Sequence, residues 1–169
     1  ENKSEHSLAQ SIVTKAKEEK INLLRVENFQ AIPGHGVSAE LDNKKVLLGT
    51  RKLMADNKIN TLVWEEKIVY LENQGKTVMI VAIVGEVIGL IAVADVLKKE
   101  SIETIKILKK NNIDIWMLTG DNDRTARAIA RQVGIENVMS EILPDRKSEK
   151  VRELQGQGKI VAMVGDGVN

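Results

Sequence analysis

The chain contains no cysteine, which excludes disulfides and thiolate metal centres alike. A soft metal ion handled by a parent protein would therefore not be bound here. Aromatic side chains number four, Phe29, Trp64, Tyr70 and Trp116, too few for the stacking platforms of single-strand binders. Excess charge of one sign is also missing: the net charge is +1, with 12 basic and 12 acidic residues over 1–94 and 13 and 12 over 95–169. Nucleic-acid-binding domains carry a basic face or stripe, so nucleic acid is not an expected partner. The first residues are polar and lack the apolar core of a secretory leader. Residues 78–94 are apolar apart from Gly85, Glu86 and Gly89. The run falls short of a bilayer-spanning helix. Its β-branched flanks, divided by Gly85-Glu86, read as two strands of a hairpin.

What is present suits a folded protein. With 169 residues, 43% hydrophobic and 29% charged, the chain can bury a sizeable core in one or two domains. Leu8, Ala9, Ile12, Val13 and Ala16 recur at helical spacing, predicting a helix over about 4–17 with Ser4 as N-cap. Extended segments are expected at 24–32, 37–41 and 45–48. Pro33-Gly34-His35-Gly36 marks one turn and Asp42-Asn43 another. Helices at 51–56 and 61–73 precede the 77–93 hairpin. This first part, 1–94, reads as an antiparallel α+β domain.

The pattern changes at Ala94-Asp95. Helices at 101–110, 122–133 and 145–155 alternate with strands at 113–118, 138–140 and 159–164. Such alternation reads as a parallel doubly wound sheet, incomplete because its first strand and first loop are missing, so the fold class is α/β, with a second, partial domain over 95–169. Two of its strands end in small polar loops, Thr119-Gly120-Asp121-Asn122 and Gly165-Asp166-Gly167-Val168-Asn169. Loops at the carboxyl ends of parallel strands are where α/β sheets bind ligands. Thr119 can offer a hydroxyl and a backbone N–H to a phosphoryl oxygen, and Asp166 a carboxylate to Mg²⁺. An equally ordinary reading makes Asp121 a helix N-cap. Lys147 falls in the first turn of its helix, where its charge opposes the helix dipole. A phosphate partner would reverse that penalty, and a solvated surface lysine is the plainer alternative.

Taken in order, these segments resemble the P-type ATPases, within the haloacid dehalogenase superfamily. Thr119-Gly120-Asp121 resembles that family's T-G-D segment, Lys147 its phosphate-neutralising lysine, and residues 165–169 its G-D-G-x-N-D segment. The first part is similar to the heavy-metal transporters. Ser4-Glu5-His6-Ser7-Leu8-Ala9 resembles their S-E-H-P-L-A, residues 34–36 their G-x-G loop, and Leu48-Gly49-Thr50-Arg51-Lys52-Leu53-Met54 their G-N/T-x-x-L-M. Serine stands at 7 in place of proline, and threonine at 50 where many members have asparagine.

The resemblance implies a catalytic set of Thr119, Gly120, Asp121, Lys147 and Asn169, with Asp166 holding Mg²⁺. It also implies ATP bound by Glu5, His6, Gly34, Gly36, Gly49 and Thr50. The nucleophilic aspartate of the family's D-K-T-G-T does not occur in the chain, and is expected upstream. This chain is then a soluble, monomeric piece of the cytoplasmic part of a membrane pump, partnered by its transmembrane and actuator domains. Copper(I) is the expected ion. The alternatives are a zinc or cadmium pump, a soluble haloacid dehalogenase-type phosphatase, and a nucleotide-binding module without catalysis.

Overall fold

A computed structural model describes residues 7–143 and 146–165. The chain divides into two compact units, Glu1–Val96 and Leu97–Asn169.

The first unit is built on a five-stranded antiparallel sheet in the order β1-β2-β3-β4-β5. Its strands are β1 (Glu27–Ile32), β2 (Gly36–Leu41), β3 (Lys44–Gly49), β4 (Lys76–Ile83) and β5 (Glu86–Ala94). Two hairpins have turns with positive φ at both central residues, Asp42-Asn43 (50° and 60°) and Val84-Gly85 (50° and 84°). Such turns carry the twist that antiparallel strands need. The second lies one residue earlier than the sequence suggested, because Val84 enters the left-handed region while Glu86 begins β5. Between β3 and β4 the chain forms α2 (Arg51–Asp56), a 3-10 turn (Leu62–Trp64) and α3 (Glu65–Glu72). The single helix expected over 61–73 is thus a tight turn followed by a shorter helix. α3 ends where Gly75, at φ 78°, donates its N–H to Glu72 O at 2.8 Å. α1 (Ser7–Glu18) lies against β5.

The core of this unit joins Leu47 to Leu53, Met54, Ile59 and Ile68, and to Val78, Ile80 and Ala82 of β4. Each large side chain buried there contributes about 1.5–3 kcal/mol. Val78, Met79 and Ile80 of the inner strand β4 are buried in succession, and since successive side chains point to opposite faces, both faces of the sheet are covered there. That accounts for the continuous apolar run in the sequence.

In the second unit, β6 (Trp116–Leu118) and β7 (Asn137–Met139) form a parallel pair. α4 (Lys99–Lys110), α5 (Asp123–Val133) and α6 (Lys147–Gly156) complete it. α5 turns Ala126, Ala128, Ala130 and Val133 inward. The parallel α/β character agrees with the sequence reading, but the strand expected at 159–164 does not form. In a doubly wound order of 3-2-1-4 the fourth strand pairs with the first. Among the described residues β6 and β7 form a two-stranded sheet with no third strand beside it, so 159–165 lacks the neighbour that order would give it. Ile160 and Val164 remain solvent-exposed. The start of the segment is held by side chains instead: Lys159 Nζ donates to Asp114 Oδ2 at 3.0 Å and sits 5.7 Å from the Trp116 ring centre.

Candidate functional site

In the first unit the candidate site is two backbone loops in contact. The β1–β2 connection has the form of a type II turn. Proline occupies its second position, and Gly34, with φ 72°, its third, where glycine is favoured. The His35 N–H closes it onto Ile32 O at 2.9 Å. His35 Nδ1 lies 2.8 Å from Pro33 O, and Nε2 is 3.9 Å from Asp56 Oδ2.

Next come two glycines paired across the β2–β3 ladder, Gly36 with Gly49. Gly36 has φ 139°, and a Cβ there would lie 2.2 Å from Leu48 O. A Cβ on Gly49 would lie 2.1 Å from His35 O and 2.9 Å from Gly36 Cα. Neither clash involves a flexible side-chain tip alone, so both positions exclude every other residue unless the strands part. The Thr50 N–H then donates to His35 O at 2.8 Å. Residues 33–36 and 49–50 therefore form one hydrogen-bonded patch in which three of the six residues are glycine. Exposed Thr50 is also the N-cap of α2, its hydroxyl accepting from Leu53 N–H at 3.4 Å. Asparagine fills the same role, which explains why either residue suits this place.

Behind this patch lies a feature that the sequence reading missed. The Arg51 guanidinium presents two edges to two carboxylates of α3. Nη1 and Nη2 donate to Glu72 Oε1 and Oε2 at 2.6 and 2.9 Å. Nε and Nη2 donate to Glu65 at 3.0 and 2.9 Å. Glu72 is 1% exposed and Arg51 33%. The hydrogen bond to Glu72, with that to Glu65, outweighs burial and raises the Arg51 pKa above its ordinary value. Truncating Arg51 would remove both of its bonds from the buried Glu72 carboxylate, and breaking a buried pair in this way costs up to about 3–5 kcal/mol. The available signal was spacing: Glu65 and Glu72 lie two turns apart on one face, and Glu72 follows Ile68 by four residues along the buried stripe.

The second unit holds the Thr119 loop. The Thr119 hydroxyl donates to Asp121 Oδ2 at 2.8 Å and accepts from the Asp121 N–H at 3.1 Å. The Thr119 N–H donates to Met139 O at 3.0 Å, extending the β6–β7 pairing. The expectation that this N–H faces a phosphoryl oxygen is therefore corrected, since a ladder carbonyl already accepts it. Glu141 and Ile142 donate their N–H groups to Asp121 O and Thr119 O at 2.9 and 3.1 Å, fastening the loop to the β7 exit. Gly120 is exposed, and a Cβ there would lie 3.4 Å from Ile142 O, so packing alone does not demand glycine. The N-cap of α5 is Asn122, which accepts from Thr125 N–H at 3.1 Å, so Asp121 is not the cap. Asp123 in the first turn accepts from Arg127 Nε at 2.7 Å and Ser140 Oγ at 2.9 Å. These bonds, the Arg127 one foremost, hold its carboxyl below the usual range. Lys147 is half-buried at the first position of α6. Glu5, His6, Asp166 and Asn169 lie outside the described residues.

Across residues 1–169 the chain matches the haloacid dehalogenase-like hydrolase family, and it belongs to that family. Its relatives are more particular. It is 47% identical over 175 aligned positions to a copper-exporting P-type ATPase of Staphylococcus epidermidis, covering 100% of this chain and 21% of that one. To the copper-exporting P-type ATPase of Staphylococcus aureus it is 48% identical over 170 positions, with the same coverage. The chain thus spans about a fifth of the length of the curated relatives it matches, 21% in each case. Among solved structures it is similar to a zinc-transporting PIB-type ATPase in the E2.Pi state. That likeness has a TM-score of 0.60 at 32% identity, over 98% of this chain and 26% of that one. It is also similar to the catalytic domain of the CPx-ATPase CopB-B, described for its conformational changes upon nucleotide binding. Here the TM-score is 0.65 at 25% identity, over 98% and 57% of the two chains. No helix among the described residues is long and apolar enough to cross a membrane.

Proposed function

We propose that this chain is the ATP-binding part, with a portion of the phosphorylation part, of a P-type ATPase that exports copper(I). The observation that carries the reading is likeness to copper exporters along the whole chain, 47–48% identical. Identity to the zinc-transporting structure is lower, 32%, which favours copper over zinc or cadmium. The pump's transmembrane and actuator domains are the partners, and the chain belongs to its cytoplasmic side.

ATP binds the first unit, with Glu5 and His6 at the base and the backbone of Gly34, Gly36, Gly49 and Thr50 against the nucleotide. Exposed Gly34 supports this, because a turn position without a side chain lets a ligand approach the main chain closely. In the second unit Thr119, Gly120, Asp121, Lys147 and Asn169 serve the phosphoryl group. The Thr119 hydroxyl can turn from Asp121 to a phosphoryl oxygen, and Lys147 can balance charge there. Mg²⁺ falls to Asp166, whose carboxylate is the donor type this ion takes; when bound it would neutralise developing phosphoryl charge. Among the described residues no His, Asp or Glu cluster could hold a metal ion by itself.

Titrating ATP into the isotope-labelled chain tests the site. The largest amide shifts are expected at residues 34–36 and 49–50. Shifts confined to Thr119 and its neighbours would overturn the assignment. Ion identity is tested on the full-length pump in vesicles, where Cu(I) should stimulate ATP hydrolysis. Stimulation by Zn(II) and not by Cu(I) would replace copper with the second reading.

A further inference from the structure

The Arg51 clamp begins one residue beyond Thr50, at the start of α2. Three facts connect it to the backbone patch. Thr50, which donates to His35 O at 2.8 Å, is covalently next to Arg51 and caps the helix that Arg51 begins. The Arg51 side chain reaches α3 at both ends of its buried face, Glu65 in the first turn and Glu72 in the last. Both edges of the guanidinium are engaged, so the side chain cannot pivot without breaking charged hydrogen bonds. The first turn of α2 is thereby fixed to α3, and with it the backbone of Gly49 and Thr50.

We propose that Arg51 is a positioning residue for nucleotide. Through Glu65 and Glu72 it holds the start of α2 so that Gly49 and Thr50 stay closed against His35 and Gly36 before the nucleotide arrives. The inference rests on the proposal that ATP binds this backbone patch. A lysine at 51 keeps the charge but offers a single point and no fork. Loosening the clamp leaves the loops to be ordered at binding, and ordering cost at that moment appears as lost affinity.

The test separates affinity from stability. A triple variant, Arg51→Met, Glu65→Gln and Glu72→Met, replaces Arg51 and the buried Glu72 with apolar groups and the partly exposed Glu65 with its neutral amide, and exchanging a buried ion pair for apolar groups often leaves stability unchanged or improved. In the 169-residue chain the urea midpoint should match or exceed that of the parent, while ATP Kd rises by about tenfold, the scale of loop-ordering costs. Amide signals of Gly49 and Thr50 should broaden or shift in the absence of ATP. Arg51→Lys should likewise weaken ATP, and Glu65→Gln, at a residue in partial contact with water, should weaken it less. A folded triple variant with parental ATP affinity overturns the proposal and makes the clamp purely a stabilising device. If the triple variant does not fold, Glu65→Gln decides: parental affinity with a free-state Thr50 signal in place overturns the positioning role. A parent chain that shows no ATP-induced shift at 34–36 and 49–50 overturns the nucleotide reading itself, and this inference with it.

Discussion

Replacing Gly49 by alanine would put a methyl carbon 2.1 Å from His35 O, 2.7 Å from Leu53 Cδ2 and 2.9 Å from Gly36 Cα. The Leu53 tip can rotate away; the two backbone atoms cannot. Relief requires β2 and the start of α2 to separate by roughly 1 Å, since Cβ contacts under 3.0 Å do not persist in packed interiors. Overpacking of this kind costs about 1–3 kcal/mol, and losing the Thr50–His35 hydrogen bond adds about 1 kcal/mol. The expected destabilisation is about 2–4 kcal/mol, a drop of roughly 1–3 M in the urea midpoint at ordinary slopes. Gly89→Ala in β5 is the matched control, because a Cβ there meets no atom within 4 Å. It should leave stability unchanged or raise it by up to about 1 kcal/mol. Urea unfolding followed by far-UV circular dichroism compares the two. Variants that fall within about 0.5 kcal/mol of one another would refute the contact argument. ATP-induced amide shifts at 34–36 should also collapse in Gly49→Ala and survive in Gly89→Ala.

Ser7 is the first residue of α1, where proline fits the helix and gives up only an orphan N–H. Ser7→Pro should stabilise by roughly 0.4–1 kcal/mol with ATP affinity equal or tighter, and a clear loss of both in melting and titration experiments would assign the serine a role. The Asp123 carboxyl, depressed by Arg127 and Ser140, should titrate below an ordinary aspartate. A depressed folded value means that its stabilising contribution is present above the unfolded value and fades as pH falls through the folded one. Arg127→Gln should raise the Asp123 midpoint in carbon-detected NMR, and an unmoved midpoint would refute the assigned cause. Finally, the 169-residue chain has no D-K-T-G-T. Incubation with γ-labelled ATP and Mg²⁺, quenched in acid, should yield no hydroxylamine-sensitive acyl phosphate; label on any of its own aspartates would show that the nucleophile lies within it.

Short-range geometry was written in the sequence because short-range physics dictates it. Asp42-Asn43 closes a hairpin since both residues enter the left-handed region with little strain. The apolar run at 78–83 became an inner strand, and Thr50 began a helix whose bounds, 51–56, emerged as read. The motifs at 34–36, 48–54 and 119–121 were legible for the same reason: each is a local chemical phrase.

Partners distant along the chain were not legible. Periodicity places Glu72 on the buried face of α3 without saying that Arg51, 21 residues earlier, would meet it. The glycines at 36 and 49 suggested close approach to a ligand, and the atoms that crowd them are backbone, the carbonyl oxygens of Leu48 and His35 first. Thr119 has its N–H in the sheet because β7 runs parallel beside β6, a pairing between segments 21 residues apart. Residues 159–164 have the composition of a strand yet form none. A residue's own preferences act over one or two turns or a few rungs, and the sequence carries them directly. Which backbone group finds which partner across the fold is settled only when the elements close on one another, because burial forces each polar group to be satisfied by whatever the packing brings near.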